Sequence, residues 1–171
     1  MKRLLTAAAL LATLAFNAAH AGIDDCFVRA AAQRNLDVNL LRAIGKVESN
    51  FRPHVVNKDS NAIGLMQIMP FHLGWLRKYG IYERDLFDAC TNVNVASVLL
   101  ADFIRMYGNT WRAVGAYGAG IKPDKENARN EYAKLVKRAY ENIKHPIQPP
   151  SSRARSPSQA QQSRPTLLVL Q

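Results

Sequence analysis

Apolar positions along this chain recur at intervals of three and four rather than two, the spacing of one helical face after another. The segment after Asp24 reads as helix to about Arg34, and Asp37 is placed to cap a second helix in which Val38, Leu41, Ile44 and Val47 or Glu48 share a face until Pro53 ends the run. Asn57 to Asn61 is polar and turn-like, Ile63 to Ile68 is a short apolar run, and Pro70 marks a new helix start before Phe71, Leu73, Trp75 and Leu76. Asn92 is a candidate cap for a long helix carrying Val93, Ala96, Leu100, Phe103 and Tyr107 on one side, closed by Gly108. Thr110 precedes a shorter helix with Trp111, Val114 and Tyr117 that runs into the Gly118-Ala119-Gly120 turn. A last amphipathic stretch, Asp124 to Ile143, presents Tyr132, Leu135, Val136, Ala139 and Tyr140. No segment sustains strand alternation, so the fold class is mainly α.

The two ends do not follow this pattern. Lys2 and Arg3 precede an uncharged run from Leu4 to Phe16 and then Ala19-His20-Ala21, the layout of a cleaved secretory signal peptide. The run is shorter than the ~20 residues a spanning helix needs, so residues 1–21 are expected to be removed before Gly22, leaving a mature chain with no membrane span. From His145 onward, Pro146, Pro149, Pro150, Pro157 and Pro165 sit among Ser, Gln and Arg, a composition unable to bury enough surface to offset its ordering entropy. Residues 145–171 therefore read as a flexible basic tail and 22–144 as one compact domain. Loss of Lys2 and Arg3 lowers the formal net charge from +10 to +8, still basic enough to be drawn to anionic wall polymers, lipid head groups or nucleic acid.

An exported chain meets an oxidising compartment, so Cys26 and Cys90 default to one disulfide. Two free thiols or a metal site are the alternatives, and no His/Cys spacing supports the metal. The most informative acidic residue is Glu48. Ile44 and Leu41 lie four and seven residues before it, which puts a carboxylate at the edge of an apolar stripe and near a helix C-terminus. Desolvation and the helix dipole both raise its pKa, as a general acid requires. The plain alternative is a surface glutamate paired with Arg52 or Lys46.

Three motifs in register give Glu48 its context. Val47-Glu48-Ser49-Asn50-Phe51 is followed by Gly64-Leu65-Met66-Gln67-Ile68-Met69-Pro70 and later by Ala113-Val114-Gly115-Ala116-Tyr117-Gly118-Ala119-Gly120. From about Cys26 to Tyr140 the chain resembles the soluble lytic transglycosylases, whose patterns run Glu-Ser, Gly-Leu-Met-Gln and Ala-Tyr-Asn-Ala-Gly. In layout it is similar to the small, signal-bearing members that accompany type III secretion, type IV pilus and conjugation machines. The resemblance implies a lysozyme-like (goose-type) α-helical domain with a substrate groove, acting in the periplasm as a monomer, without cofactor or metal. Its substrate would be the glycan strands of peptidoglycan rather than nucleic acid, and the tail would tether it to an envelope-spanning machine.

Carried onto matching positions, the resemblance makes Glu48 the acid that protonates the glycosidic oxygen between N-acetylmuramic acid and N-acetylglucosamine, and then the base that accepts the muramic 6-hydroxyl proton, giving a 1,6-anhydro end. Ser49 would orient substrate or the carboxylate, and Gln67 would bond a sugar. Gly64 would permit a close turn, with Leu65 and Met66 packed beneath the groove. Tyr117 would donate its hydroxyl to Glu48. Met66 and Tyr117 are equally natural core residues, and Gln67 equally a turn cap. Gly118 stands where the family usually has Asn, which removes one amide from the groove. The intramolecular hydroxyl has a high effective molarity, so no second carboxylate is demanded. A lysozyme-like muramidase would instead deliver water with Asp59 as its second carboxylate, although Asp59-Ser60-Asn61 is more simply a turn. A non-catalytic wall-binding module would use the basic surface with Trp75 and Trp111, both of which sit at positions suited to a core.

Overall fold

A computed structural model describes residues 22–146. The expected signal segment, and the tail beyond residue 146, lie outside the described residues. Helix α1 occupies residues 22–34, and Asn35 in the left-handed region turns the chain toward the next helix. Helix α2, Val38–Ser49, starts at Asp37, whose side chain accepts from the backbone of Asn39 at 2.8 Å. It ends two residues sooner than a Pro53 stop requires. Asn50 and Phe51 both take left-handed φ, and their N–H groups return to Lys46 and Gly45, satisfying the last carbonyls.

The loop that follows is held by two isolated bridges, Val56 with Ile63 and Ile63 with Ile68, so residues 63–68 form a tight reversal rather than a strand. The expected helix after Pro70 proves to be a chain of single turns: a 3-10 turn Pro70–His72, α3 Leu73–Leu76, and 3-10 turns Arg77–Tyr79 and Glu83–Phe87. Helix α4, Ala89–Tyr107, is capped by Asp88, which accepts from Thr91 at 2.8 Å. Asn92 is therefore not the cap that its sequence position suggested. It lies one turn inside the helix, fully buried, and serves the 63–68 reversal instead. Helices α5, Trp111–Ala119, and α6, Glu126–Lys144, complete the domain. Thr110 takes the N-cap position without a side-chain cap, and its hydroxyl donates to Tyr107.

The apolar faces expected from periodicity meet in one core. Phe27 from α1, Leu41 and Ile44 from α2, Val93 and Leu100 from α4, and Val136 from α6 surround Leu65, Met66 and Ile68. Both tryptophans pack against this core. Helix α6 lies along α5 and α2, and α5 also meets α4. The α5–α6 approach is close because Gly115 and Gly118 face it: a Cβ on Gly115 would strike the backbone of Arg129, and one on Gly118 would strike the ring of Tyr132. Leu135, expected on the apolar face, is half exposed. No helix among the described residues is long and apolar enough to cross a membrane.

Cys26 and Cys90 form a disulfide that closes a separation of 64 residues and joins α1 to the start of α4. Chain-entropy reasoning assigns such a loop about 4 kcal/mol. Replacing both cysteines by serine is expected to lower the thermal midpoint substantially while leaving the far-ultraviolet circular dichroism helical. A midpoint unchanged within a degree would count against a stabilising role for the bridge.

Candidate functional site

Glu48 is the penultimate residue of α2 and sits half-buried at the edge of the core. One carboxyl oxygen, Oε1, accepts a hydrogen bond from the Tyr132 hydroxyl on α6. The other, Oε2, has no hydrogen-bond partner among the described residues and is not sealed from solvent. Burial pushes the carboxyl pKa from 4.5 to about 7, opposed by the Tyr132 hydrogen bond, which favours the charged form. Near neutral pH this group is thus poised between acid and base. The surface-pair alternative does not occur: the ammonium of Lys46 bonds Asn50, and the Arg52 guanidinium donates to the Ser49 carbonyl at 2.8 Å.

The phenol that bonds Glu48 is Tyr132, not Tyr117. The Tyr117 hydroxyl donates to the main-chain carbonyl of Met66 at 2.8 Å, pinning the 63–68 reversal to α5. The two phenols lie near the same carboxyl. Burial raises the pKa of each well above its ordinary value, and the Glu48 charge raises it further. Both therefore remain donors across the physiological range. Sequence reading had placed Tyr132 only on an apolar helix face. The local pattern shows a phenol there, but the pairing of α6 with α2 that brings it to Glu48 is a tertiary fact.

The reversal next to Glu48 is fixed from several sides through main-chain atoms. Ser49 Oγ donates to the Leu65 carbonyl at 2.7 Å and accepts from Arg52 N at 2.9 Å. It is 3% exposed and ties the helix end to the reversal. Asn92 accepts from Met66 N at 2.7 Å and donates to the carbonyls of Ile63 and Leu86 at 3.0 and 2.7 Å. Gly64, at φ +81°, lies so close to Asn92 and Leu86 that no side chain fits there. Leu65 and Met66 are fully buried. The Gln67 amide nitrogen donates to the carbonyls of Gly64 at 2.9 Å and Val55 at 3.3 Å, the turn-capping alternative, which leaves its side-chain oxygen as the atom able to meet a ligand.

Beside this constellation opens a cleft of about 400 Å³ whose lining includes Gln67, Tyr117 and Gly118 together with Phe71, His72 and Ile121. Gly118 is part of α5 rather than of a terminal turn, and the space that an amide side chain would need at position 118 is filled by the Tyr132 ring. Asp59 is exposed, in a turn built by the Asn57 side chain, which accepts from Asp59 N and Ser60 N. Among the described residues no His, Cys, Asp and Glu side chains group as metal ligands.

The transglycosylase SLT domain family matches residues 25–140. The chain is 40% identical over 124 residues to the invasion protein IagB of Salmonella typhimurium, spanning 70% of this chain and 78% of that one. It is 41% identical over 128 residues to the protein IpgF of Shigella flexneri, spanning 72% and 84%. Among solved structures, an inactive mutant of the lytic transglycosylase Slt from Pseudomonas aeruginosa has the same fold, with a TM-score of 0.58 and 23% identity over 73% of this chain. The chain spans 25% of that larger protein.

Two outcomes follow from the geometry. Because the Glu48 pKa is higher in the folded state than the 4.5 of the unfolded chain, the folded protein binds the extra proton between those values and wild type loses stability as pH rises from 4.5 to about 7. The loss is on the order of 3 kcal/mol. Glu48→Gln should therefore gain stability relative to wild type across that window and hold the gain above it, checked by denaturant unfolding at several pH values; a difference independent of pH would contradict the assigned burial. Gly118→Asn, although it restores the usual residue of the family, should displace the Tyr132 ring and cut activity at least tenfold, and equal or improved turnover would show that the ring does not need that space.

Proposed function

Because the chain belongs to the transglycosylase SLT domain family, and is on that footing a lytic transglycosylase, we propose that it cleaves the β-1,4 bond between N-acetylmuramic acid and N-acetylglucosamine without water, leaving 1,6-anhydromuramoyl ends. The observation that carries this reading is the Glu48 carboxyl, half-shielded, with a pKa near neutral and with one oxygen held by Tyr132 while the other is open. Protonated Oε2 gives its proton to the glycosidic oxygen as the bond from that oxygen to the muramic C1 breaks. The muramic 6-hydroxyl oxygen then bonds C1, and its proton passes to the carboxylate just formed. One carboxyl thus serves both steps, because the nucleophile is carried by the substrate ring. Tyr132 keeps the carboxyl oriented through the exchange, and the Gln67 oxygen, whose amide nitrogen is already bonded, would accept from a sugar hydroxyl or amide.

The leader expected over residues 1–21 and the basic mature surface suit a periplasmic monomer working on the wall. Likeness to the invasion protein IagB supports local wall opening for an envelope-spanning secretion, pilus or conjugation apparatus, with residues 145–171 as the tether.

Mass spectrometry of fragments released from purified sacculi is expected to find anhydro ends for wild type and for Asp59→Asn, and at least a thousandfold slower release for Glu48→Gln. Reducing muramic ends that vanish with Asp59→Asn would replace this reading by a hydrolase, and equal release by wild type and Glu48→Gln would leave only wall binding. Since the acid must be protonated to start the reaction, turnover should fall as pH rises through about 7.

A further inference from the structure

The single turns between Pro70 and Tyr79 carry more aromatic surface than their packing uses. Phe71 is 71% exposed and Tyr79 is 74% exposed, although neighbouring Leu73 and Leu76 are buried in the core. The rings follow one another along these turns, Phe71 tilted on His72 and the next two pairs edge to face. Phe71 and His72 lie 4.1 Å apart by ring centroid, His72 and Trp75 6.1 Å, and Trp75 and Tyr79 6.0 Å. At one end, Phe71 and His72 form part of the cleft that reaches Tyr117 and Gly118.

We propose that Phe71, His72, Trp75 and Tyr79 form an aromatic track that grips the glycan strand beyond the reacting bond, with Phe71 and Tyr79 stacked on sugar rings and the His72 Nε2–H donating to a sugar oxygen. The chemistry of the imidazole fits this role. The Trp75 indole N–H donates to His72 Nδ1 at 3.1 Å, which makes Nδ1 the unprotonated nitrogen and Nε2 the N–H donor of a neutral ring. Burial lowers the His72 pKa and so favours the same neutral form.

An N-acetylated sugar presents apolar C–H faces together with hydroxyl and carbonyl oxygens. Exposed rings beside one fixed donor match that mixture, and the cleft is correspondingly apolar with a few polar groups. An exposed apolar patch of this kind marks a binding surface, and its continuity with the cleft at Tyr117 and Gly118 points to the strand as its occupant. The exposed Arg77 and Lys78 on the same turns add attraction for the carboxylates of the wall's peptide stems.

The inference rests on reading the chain as a glycan-strand enzyme, so its test separates binding from chemistry. The purified chain carrying Glu48→Gln is titrated calorimetrically with chitohexaose, alone and with Phe71→Ala, Tyr79→Ala or Phe71→Tyr added. The first two additions should weaken binding at least fivefold, while the third, which keeps a ring, should stay within twofold. On sacculi, Phe71→Ala in the otherwise wild-type chain should raise KM severalfold with kcat within twofold. Unchanged affinity in both alanine variants overturns the track, as does a fall in kcat at constant KM. Wild type that releases no wall fragments would sink the enzymatic reading by itself, and the titrations would still decide whether the aromatic rings hold sugar.

Discussion

A hydrogen bond between two helices governs how the site works: the Tyr132 hydroxyl of α6 on the Glu48 carboxyl of α2. A carboxyl withdrawn from water resists ionisation, and an unpartnered one would turn outward or remain permanently protonated. The phenol offsets part of that penalty, holds one oxygen, and leaves the other without a hydrogen-bond partner among the described residues. Helix α6 packs on both α2 and α5, and at α5 the two glycines Gly115 and Gly118 leave room for that approach. The helix packing and the acidity of one side chain are therefore aspects of a single constraint.

Most of the helical architecture was legible in the sequence, since it follows from local periodicity and from residues such as Asp37 and Gly108 that stop or start helices. The 63–68 apolar run was visible, but its form as a tight reversal was not, because its partners lie far away in sequence. Asn92 is the clearest case. A polar residue close to the start of a helix has the local signature of a cap, yet Asp88 holds that position and the Asn92 amide is spent on the carbonyls of Ile63 and Leu86.

The site was legible to the same depth. Position on an apolar stripe and near a helix end gives the direction of the Glu48 pKa, and the three motifs in register are what set it apart from a surface glutamate. Ser49, Tyr117 and Gln67 stand out in the motifs, but their contacts are largely with main-chain atoms, which no side-chain pattern reports. Tyr132 escaped notice because an amphipathic helix face displays a phenol and a leucine alike until the opposing helix is known. The aromatic turns escaped for a related reason: an apolar residue in sequence does not say whether it faces a core or a ligand.

The way the reversal is fastened has a consequence for how such a domain can diversify. Ser49, Asn92 and Tyr117 address the carbonyl of Leu65, the N–H of Met66 and the carbonyl of Met66, atoms that every residue other than proline supplies. These three bonds address main-chain atoms, while Gly64, which admits no side chain, and the buried Leu65 and Met66 constrain the loop by packing. A substitution that keeps these backbone positions can thus leave the three bonds, and the helix end that carries Glu48, where they are.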